Sequence, residues 1–316
     1  MSNIQSNPAY AGDVLDLREL FSLLMAGKLL IMASVTLAGI LALAVTLVMP
    51  NVYRSTTILV PKPDSGTGGL SRLAAQYGGL ASLAGINLGG LDSDGLPKST
   101  IALKKMQSFS FFEQHLYDEL LVDLMAVESW EAEVKILEYD EEIYDVESGE
   151  WVRDVDFPYS VKPSAQEAHE EFLELLTVSE DKQSGLISVS MEHQSPDIAK
   201  RWLEMMVLRV SEDLRAKDIA EAEDSIAFLE RQREKTSLVS LDEVFAQLIE
   251  EQTKKIMLAN VSRDYLFDII DPPVAPEMKA KPNRTLICAL SALIGGILGT
   301  LFVLMRRFGK AHHSGV

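Results

Sequence analysis

Two long apolar runs near the ends of the 316-residue chain constrain its fold more than any other feature. Residues 29–49 and 286–305 contain no formally charged side chain, and each run includes 11 residues of Leu, Ile, Val or Phe. At about 1.5 Å of rise per residue, each helix would be roughly 30 Å long, the thickness of a bilayer's hydrocarbon core. We therefore predict transmembrane helices at residues 29–49 and 286–305.

A cleaved signal peptide is the alternative explanation for the first run. Its apolar stretch is longer than the usual signal-peptide core, and Asp13, Asp16 and Glu19 precede it where a signal peptide carries positive charge. Pro50 follows without the small-residue pattern of a cleavage site. We therefore expect the first run to stay in the protein as a membrane span.

The segment between the spans is expected to lie outside the cytoplasm. Lys and Arg residues flank the spans equally on both sides, but long segments cross a membrane largely regardless of charge, so the two short tails decide the orientation. We expect an N-terminal cytoplasmic segment 1–28, a periplasmic domain 50–285 and a cytoplasmic tail 306–316, in a cell inner membrane. With tails this short, we expect no cytoplasmic catalytic or signalling domain.

Nearly all of the acidity lies in the predicted periplasmic domain. The chain has 29 Lys+Arg and 47 Asp+Glu, a net charge of −18; residues 50–285 hold 24 and 44 of these, a net charge of −20. This balance disfavours nucleic-acid binding and broad electrostatic capture of an anionic glycan. The single cysteine, Cys288, excludes an intramolecular disulfide and a cysteine-cluster zinc site.

Hydrophobic patterning predicts an α+β domain between the two spans. In chain order we expect a strand at 52–61, a helix opened by a capping box of Ser110 and Glu113, a hairpin around 147–150, a helix opened by Ser164 and Glu167, a hairpin around 182–185, a long helical hairpin at 195–262 and a strand at 265–271. Pairing of the first strand with the last would anchor the domain at the bilayer surface.

A glycine-rich segment interrupts this pattern at residues 64–97, which hold nine glycines. We expect a loop with a short helical piece. It either packs against a neighbouring subunit or forms a flexible excursion, and the sequence favours neither alternative.

The predicted helical hairpin starts at Ser195 and Pro196, with Ser as N-cap and Pro at the first helical position. Apolar residues at spacings of four, three and four form its expected seam: Leu203, Val207, Val210 and Leu214. In the second helix, Val244, Leu248 and Ile256 are expected to face inward. Packing of the hairpin on itself is the simpler explanation of the seam, and contact with another subunit is the alternative.

Two further patterns mark candidate functional residues. In the second span, small residues recur with a period that lets helix backbones approach closely, and Ala38, Gly39 and Ala42 offer a partner face in the first span. The alternative is that Gly and Ala are simply common in spans. Before the second span, prolines predict a stiff, extended connector at 271–284. The helix-packing residues are Ser291, Gly295, Gly296 and Gly299, and the connector prolines are Pro272, Pro273, Pro276 and Pro282.

The sequence predicts no catalytic, cofactor-binding or metal-binding residue. It contains no phosphate-binding loop, no GxSxG nucleophile elbow and no HExxH zinc motif. His115, His169 and His193 occur singly and are interpreted as surface residues, and His312 and His313 lie in the tail. Pairs of acidic residues are expected by chance in a chain this acidic and are interpreted as solvated.

Three segments together resemble the chain-length determinant family, the Wzz-type polysaccharide co-polymerases. They are VYRSTTILVPKP after the first span, SVSMEHQSPDIAKRWLEMMV at the start of the long helix, and DPPVAPEMKAKPNR before the second span. The resemblance implies ring-like inner-membrane oligomers whose long helices project into the periplasm and which set the length of O-antigen or related glycans made by a separate polymerase. Larger relatives carry a cytoplasmic tyrosine kinase domain, so this chain is expected to be of the kinase-free kind.

The leading hypothesis is therefore a non-enzymatic, homo-oligomeric scaffold that contacts a membrane-embedded glycan polymerase, lipid-linked polysaccharide and membrane lipids, and that binds no nucleic acid or cofactor. An adaptor subunit of a polysaccharide export complex is the alternative. A periplasmic enzyme that uses carboxylates is a third hypothesis, which the sequence supports least.

Overall fold

The computed structural model describes residues 25, 27–62, 96–235, 239–262 and 264–313, without the side chains of residues 240 and 307–313. The chain divides into two compact units: residues 52–279 form a domain, and the segments before and after it form a helix pair. Nearly all of the predicted glycine-rich segment 64–97 lies outside the described residues.

The described elements are runs of helices and of antiparallel strands, as expected for an α+β domain. In chain order they are α1 (Lys28–Val48), β1 (Tyr53–Pro61), α2 (Lys98–Met106), α3 (Phe109–His115), α4 (Tyr117–Met125), β2 (Val127–Glu131), β3 (Ile136–Tyr139), β4 (Tyr144–Asp145), β5 (Glu150–Trp151), α5 (Ala165–Leu175), β6 (Leu176–Glu180), β7 (Ile187–His193), α6 (Pro196–Lys235), α7 (Val239–Val261), β8 (Phe267–Asp271) and α8 (Arg284–His313).

Helices α1 and α8 form the helix pair. Lys28–Val48 and Arg284–Arg306 are both long and apolar enough to cross a membrane, and most of their side chains are not covered by protein. Helix α1 ends where Met49 becomes extended, because the residue before a proline avoids the helical conformation. At the start of α8, the Asn283 side-chain oxygen accepts a hydrogen bond from the backbone N–H of Leu286.

A four-stranded antiparallel sheet with the order β6-β7-β1-β8 forms the centre of the domain. Strand β1 pairs with β7 from Tyr53↔His193 to Leu59↔Ile187. On its other side β1 pairs with β8, with a register shift between Ile58 and Leu59. The predicted pairing of the first strand with the last is therefore confirmed.

The main core lies on one face of this sheet, under α6. Alternating residues of β1 and β7, such as Leu59 and Val189, are buried with Trp202 and Met206 of α6. Helices α3 and α5 complete the core with a contact between Phe112 and Phe172, whose ring centroids are 5.0 Å apart. Burying each large side chain contributes roughly 1.5–3 kcal/mol, so this cluster is the main source of the domain's stability.

The helix predicted to start at Ser110 begins earlier and is broken. Ser108 is the residue with an extended backbone, and its hydroxyl accepts the N–H of Phe111, so Ser108 is the N-cap. The chain then forms two helices, α3 and α4, because Leu116 departs from helical geometry. The capping box at Ser110 is wrong, since an N-cap requires an extended backbone and not only the residue pattern.

Two hairpins occupy residues 127–151, where the sequence predicted one. The predicted hairpin around 147–150 is present as β4–β5. In its turn, Asp145 accepts the N–H groups of Glu147 and Ser148, and Gly149 has a φ of +72° that favours glycine. The β2–β3 hairpin was not predicted, because its turn has no glycine and instead places Lys135 at a φ of +55°.

The other predicted elements agree with the structure. Ser164 caps α5 by accepting the N–H of Glu167. Strands β6 and β7 form the hairpin around 182–185, in which Asp181 accepts the N–H of Gln183. Helix α6 begins at Pro196, and α6 and α7 pack as a helical hairpin.

Candidate functional site

The interface between α1 and α8 is built around the glycines of the second apolar run. A Cβ added at Gly295 would lie 2.8 Å from the Ala38 Cβ and 2.9 Å from the Ser34 backbone oxygen. A Cβ added at Gly299 would collide with the Ser34 Oγ and lie 3.1 Å from the Ile31 Cα. The two backbones therefore approach too closely for any larger residue at these positions.

Ser34 adds a polar contact that the sequence analysis did not single out. Its hydroxyl lies 2.8 Å from the Gly295 backbone oxygen and 2.9 Å from the Ile31 oxygen of its own helix. A hydroxyl group that donates between helices in an apolar setting contributes about 0.6–2 kcal/mol to their association. The signal for this contact was present as a lone serine inside the first apolar run.

The remaining small residues have different surroundings. A Cβ at Gly296 would make an ordinary contact of 3.6 Å with Val35, and a Cβ at Gly39 would meet nothing within 4 Å. Ala42 is buried. The hydroxyl of Ser291 bonds the Cys288 oxygen of its own helix, 2.9 Å away. Ser34, Ala38, Gly295 and Gly299 thus lie where the two helices pack closely.

The proline-rich connector lies between β8 and α8. Pro272 is exposed, Pro273 is buried, Pro276 and Pro282 are half-buried, and no helix forms between residues 272 and 283. The start of the connector lies alongside β1. The Thr57 hydroxyl donates to the Asp271 oxygen at 2.7 Å, and the Ser55 hydroxyl donates to the Val274 oxygen at 2.9 Å. These bonds attach the beginning of the connector to the sheet.

The four residues predicted as the hairpin seam are buried, but in the main core. Leu203, Val207, Val210 and Leu214 belong to the cluster that also contains the sheet residues. Helix α7 has 23 residues against 40 in α6, and Arg215 of α6 reaches the Ser262 oxygen just beyond the end of α7. Helix α7 is therefore too short to cover the first half of α6, which packs in the main core instead.

The hairpin has a smaller apolar cluster of its own near the turn. It consists of Leu229 of α6 with residues of α7: Leu241, Val244, Phe245 and Leu248. Val244 and Leu248 agree with the prediction, while Ile256 is only half-buried. The two helices of the hairpin pack against each other as predicted, but α6 contributes Leu229 to this contact and not the four predicted residues.

A charged network fixes the base of the hairpin. The Asp218 carboxylate of α6 lies 2.8 Å from the Lys98 Nζ of α2 and 3.2 Å from the Lys255 Nζ of α7, and it accepts the Tyr265 hydroxyl at 2.6 Å. Burial opposes ionisation of Asp218, but hydrogen bonds from Lys98 and Tyr265 outweigh it and lower its pKa. Burial and the bond to Asp218 raise the pKa of Tyr265 to about 12. One ionised carboxylate thus joins α2, α6, α7 and the segment before β8.

The histidines differ from the surface residues that the sequence predicted. His193 is buried at the end of β7. His115 and His169 are half-buried, and the His169 ring packs against Phe109 and Phe112. These positions reflect the tertiary packing of polar-looking segments. Within the described residues, no group of three or more His, Cys, Asp or Glu side chains could hold a metal ion.

Comparison with protein families gives two matches. Residues 13–108 match the family model Wzz, described as chain length determinant protein, and residues 236–308 match GNVR, described as a G-rich domain on putative tyrosine kinase. The first match includes α1, β1 and α2, and the second includes α7, β8 and all of the second apolar run. No curated protein sequence matches the chain.

Two solved structures are similar to the chain at low identity. A "full-length bacterial polysaccharide co-polymerase" is 14% identical, with a TM-score of 0.39, over 94% of this chain and 99% of that one. A fragment of WzzB, a polysaccharide co-polymerase from Salmonella Typhimurium, is 15% identical, with a TM-score of 0.30, over 73% of this chain and 100% of the fragment. Similarity at this level does not by itself assign a function.

Proposed function

We propose that this chain, which carries a chain length determinant domain at residues 13–108, regulates the length of O-antigen or a related lipid-linked surface polysaccharide that a separate polymerase makes. The family match is the observation that carries this proposal. It covers the first apolar helix and β1, one of the two inner strands of the sheet.

The proposed location is the cell inner membrane. Helices α1 and α8 would span the bilayer, with both termini cytoplasmic and residues 50–285 periplasmic. The apolar helices support this arrangement, because their mostly uncovered side chains would otherwise face water. The connector 271–284 would then transmit the tilt of the second span to the sheet, and the hairpin 195–262 would extend from the domain.

The proposed mechanism is that of a scaffold without catalysis. Copies of the chain would assemble in a ring-like oligomer, contact the membrane-embedded polymerase and its lipid-linked product, and bias the point at which elongation stops. Ser291, Gly295, Gly296 and Gly299 are proposed as the helix-packing surface within the membrane. The Ser34 contact supports this role for the glycines, since it ties the two spans of one copy together.

Deletion of the gene tests the proposed function. We expect the surface polysaccharide to be made still, but with its modal length lost, so that a gel shows a shortened or unregulated ladder in place of a dominant band. A plasmid copy of the gene should restore the band. An unchanged ladder would contradict the proposal, and loss of surface polymer with an unchanged length inside the cell would favour an export adaptor.

A further inference from the structure

A loop after β5 is held in place by a partly buried ion pair. The Arg153 guanidinium donates to the backbone oxygens of Ser160 at 2.7 Å and Val161 at 2.9 Å, and it forms a bidentate pair with Glu167 in the first turn of α5. The hydrogen bond from Arg153 lowers the pKa of Glu167. Both ends of residues 153–161 are therefore tied to the same side chain.

This anchored loop exposes apolar side chains that the fold does not use. Phe157 is 97% exposed and Tyr159 is 58% exposed. Single exposed apolar residues are ordinary, but exposed aromatic rings on an anchored loop have little conformational entropy left to lose on binding and are typical anchors of protein interfaces. Asp154 and Asp156 precede Phe157 by three residues and one residue, and both are also exposed.

The charge of the loop restricts what can cover it. Two carboxylates beside the rings repel an anionic lipid surface, and they repel the same loop of another copy. A matching surface needs apolar side chains beside a cation. The loop and its partner surface must therefore differ from each other.

Helix α2 offers that matching surface on the same chain. It holds three lysines and no acidic residue, and it is the only net-positive helix among those that the structure describes in the acidic domain. Lys98 and Lys105 pair with aspartates of α6, whereas Lys104 is exposed and has no ion-pair partner among the described residues. Ile101, one turn before Lys104, is 40% exposed.

We propose that the loop 153–161 of one copy docks on α2 of a second copy, with Phe157 against Ile101 and the carboxylates of Asp154 and Asp156 near Lys104. Because the contact joins two different surfaces of one chain, it repeats from copy to copy and builds a closed ring when the rotation closes. This inference rests on the proposed function, in which the chain works as a ring-like oligomer, and it names the contact between neighbours.

Cysteine cross-linking of the full-length protein in its membrane tests the contact directly. In a Cys288→Ser background, Phe157→Cys combined with Ile101→Cys should give cross-linked dimers and higher multiples under mild oxidation, because a disulfide needs its Cβ atoms within about 4.5 Å. Phe157→Cys alone and Phe228→Cys with Ile101→Cys are the matched controls and should stay uncross-linked. Cross-linking of Phe157→Cys alone, or none in the pair, would overturn the proposal.

Charge reversal gives a second, independent measurement. Asp156→Lys and Lys104→Glu should each lower the association constant between copies in the detergent-extracted particle about tenfold. The double variant should recover most of this loss of affinity. Failure of the double variant to recover contradicts the proposed pairing. If these variants keep particle size while gene deletion still abolishes the modal glycan length, the docking inference fails and the proposed function stands.

Discussion

His193 joins the end of the sheet to the start of the longest helix, and its two ring nitrogens have different partners. Its Nδ1 accepts the N–H of Ser195 at 2.9 Å, so the neutral ring carries its proton on Nε2, which donates to the Asp123 backbone oxygen at 2.9 Å. The Asp123 carboxylate binds Arg201 and the Tyr139 hydroxyl nearby. A second proton on Nδ1 would face the Ser195 N–H and break the hydrogen bond between Ser195 and His193.

The stability of the domain should therefore depend on pH through His193. Burial lowers the pKa of His193 below its usual 6.5, so the unfolded chain binds the proton first as pH falls. The free energy of unfolding should decrease below about pH 6.5, by up to about 1.4 kcal/mol per pH unit. Denaturant melts of the full-length protein in detergent between pH 7.5 and 5.5 measure this slope. The His193→Gln variant should lose most of this pH dependence, whereas the His169→Gln variant should retain it. If the His193→Gln protein shows the same slope as the wild type, His193 is not the cause of the pH dependence.

At the scale of elements, α6 takes part in two cores. Its first half packs in the core with β1 and β7, while Leu229 near its end packs on α7 in the hairpin. The Asp218 network lies between these two parts and also reaches α2 and Tyr265. A single helix thus belongs to both cores, and the partly buried charges at its middle join it to α2 and α7.

The helix pair should be sensitive to side-chain size at one glycine and not at another. Gly299→Leu must push α1 and α8 apart, at a cost of about 1–3 kcal/mol, which corresponds to a fall of several degrees in the melting temperature. Gly39→Leu is the matched control, because its new side chain points into open space. Thermal melts of the protein in detergent check the difference. Equal melting temperatures for the two variants would argue against close helix packing.

At the scale of the whole molecule, the acidic domain and the two apolar helices require different solvents. The proposed topology predicts that Gln183→Cys, in an exposed turn, reacts with a membrane-impermeant maleimide in intact cells, in a Cys288→Ser background. Ser314→Cys in the tail should react only after the inner membrane is permeabilised. The opposite pattern of labelling would place the domain in the cytoplasm and contradict the proposed function.

The sequence alone determined the two apolar helices, the strands beside them and the start of the long helix at Pro196, because these follow from local patterns of hydrophobicity, β-branching and capping. It also indicated the close-packing glycines, since only residues without a side chain permit such an approach. Tertiary structure decided the rest. Leu203 and Val210 pack in the main core because α7 is too short to reach them, and Ser108 replaces Ser110 as the cap. His193 is buried against Trp202 of α6 and the Asp123 backbone of α4, which the local sequence around it does not show. Periodicity shows which face of a helix is apolar, but only the packed fold determines what covers it.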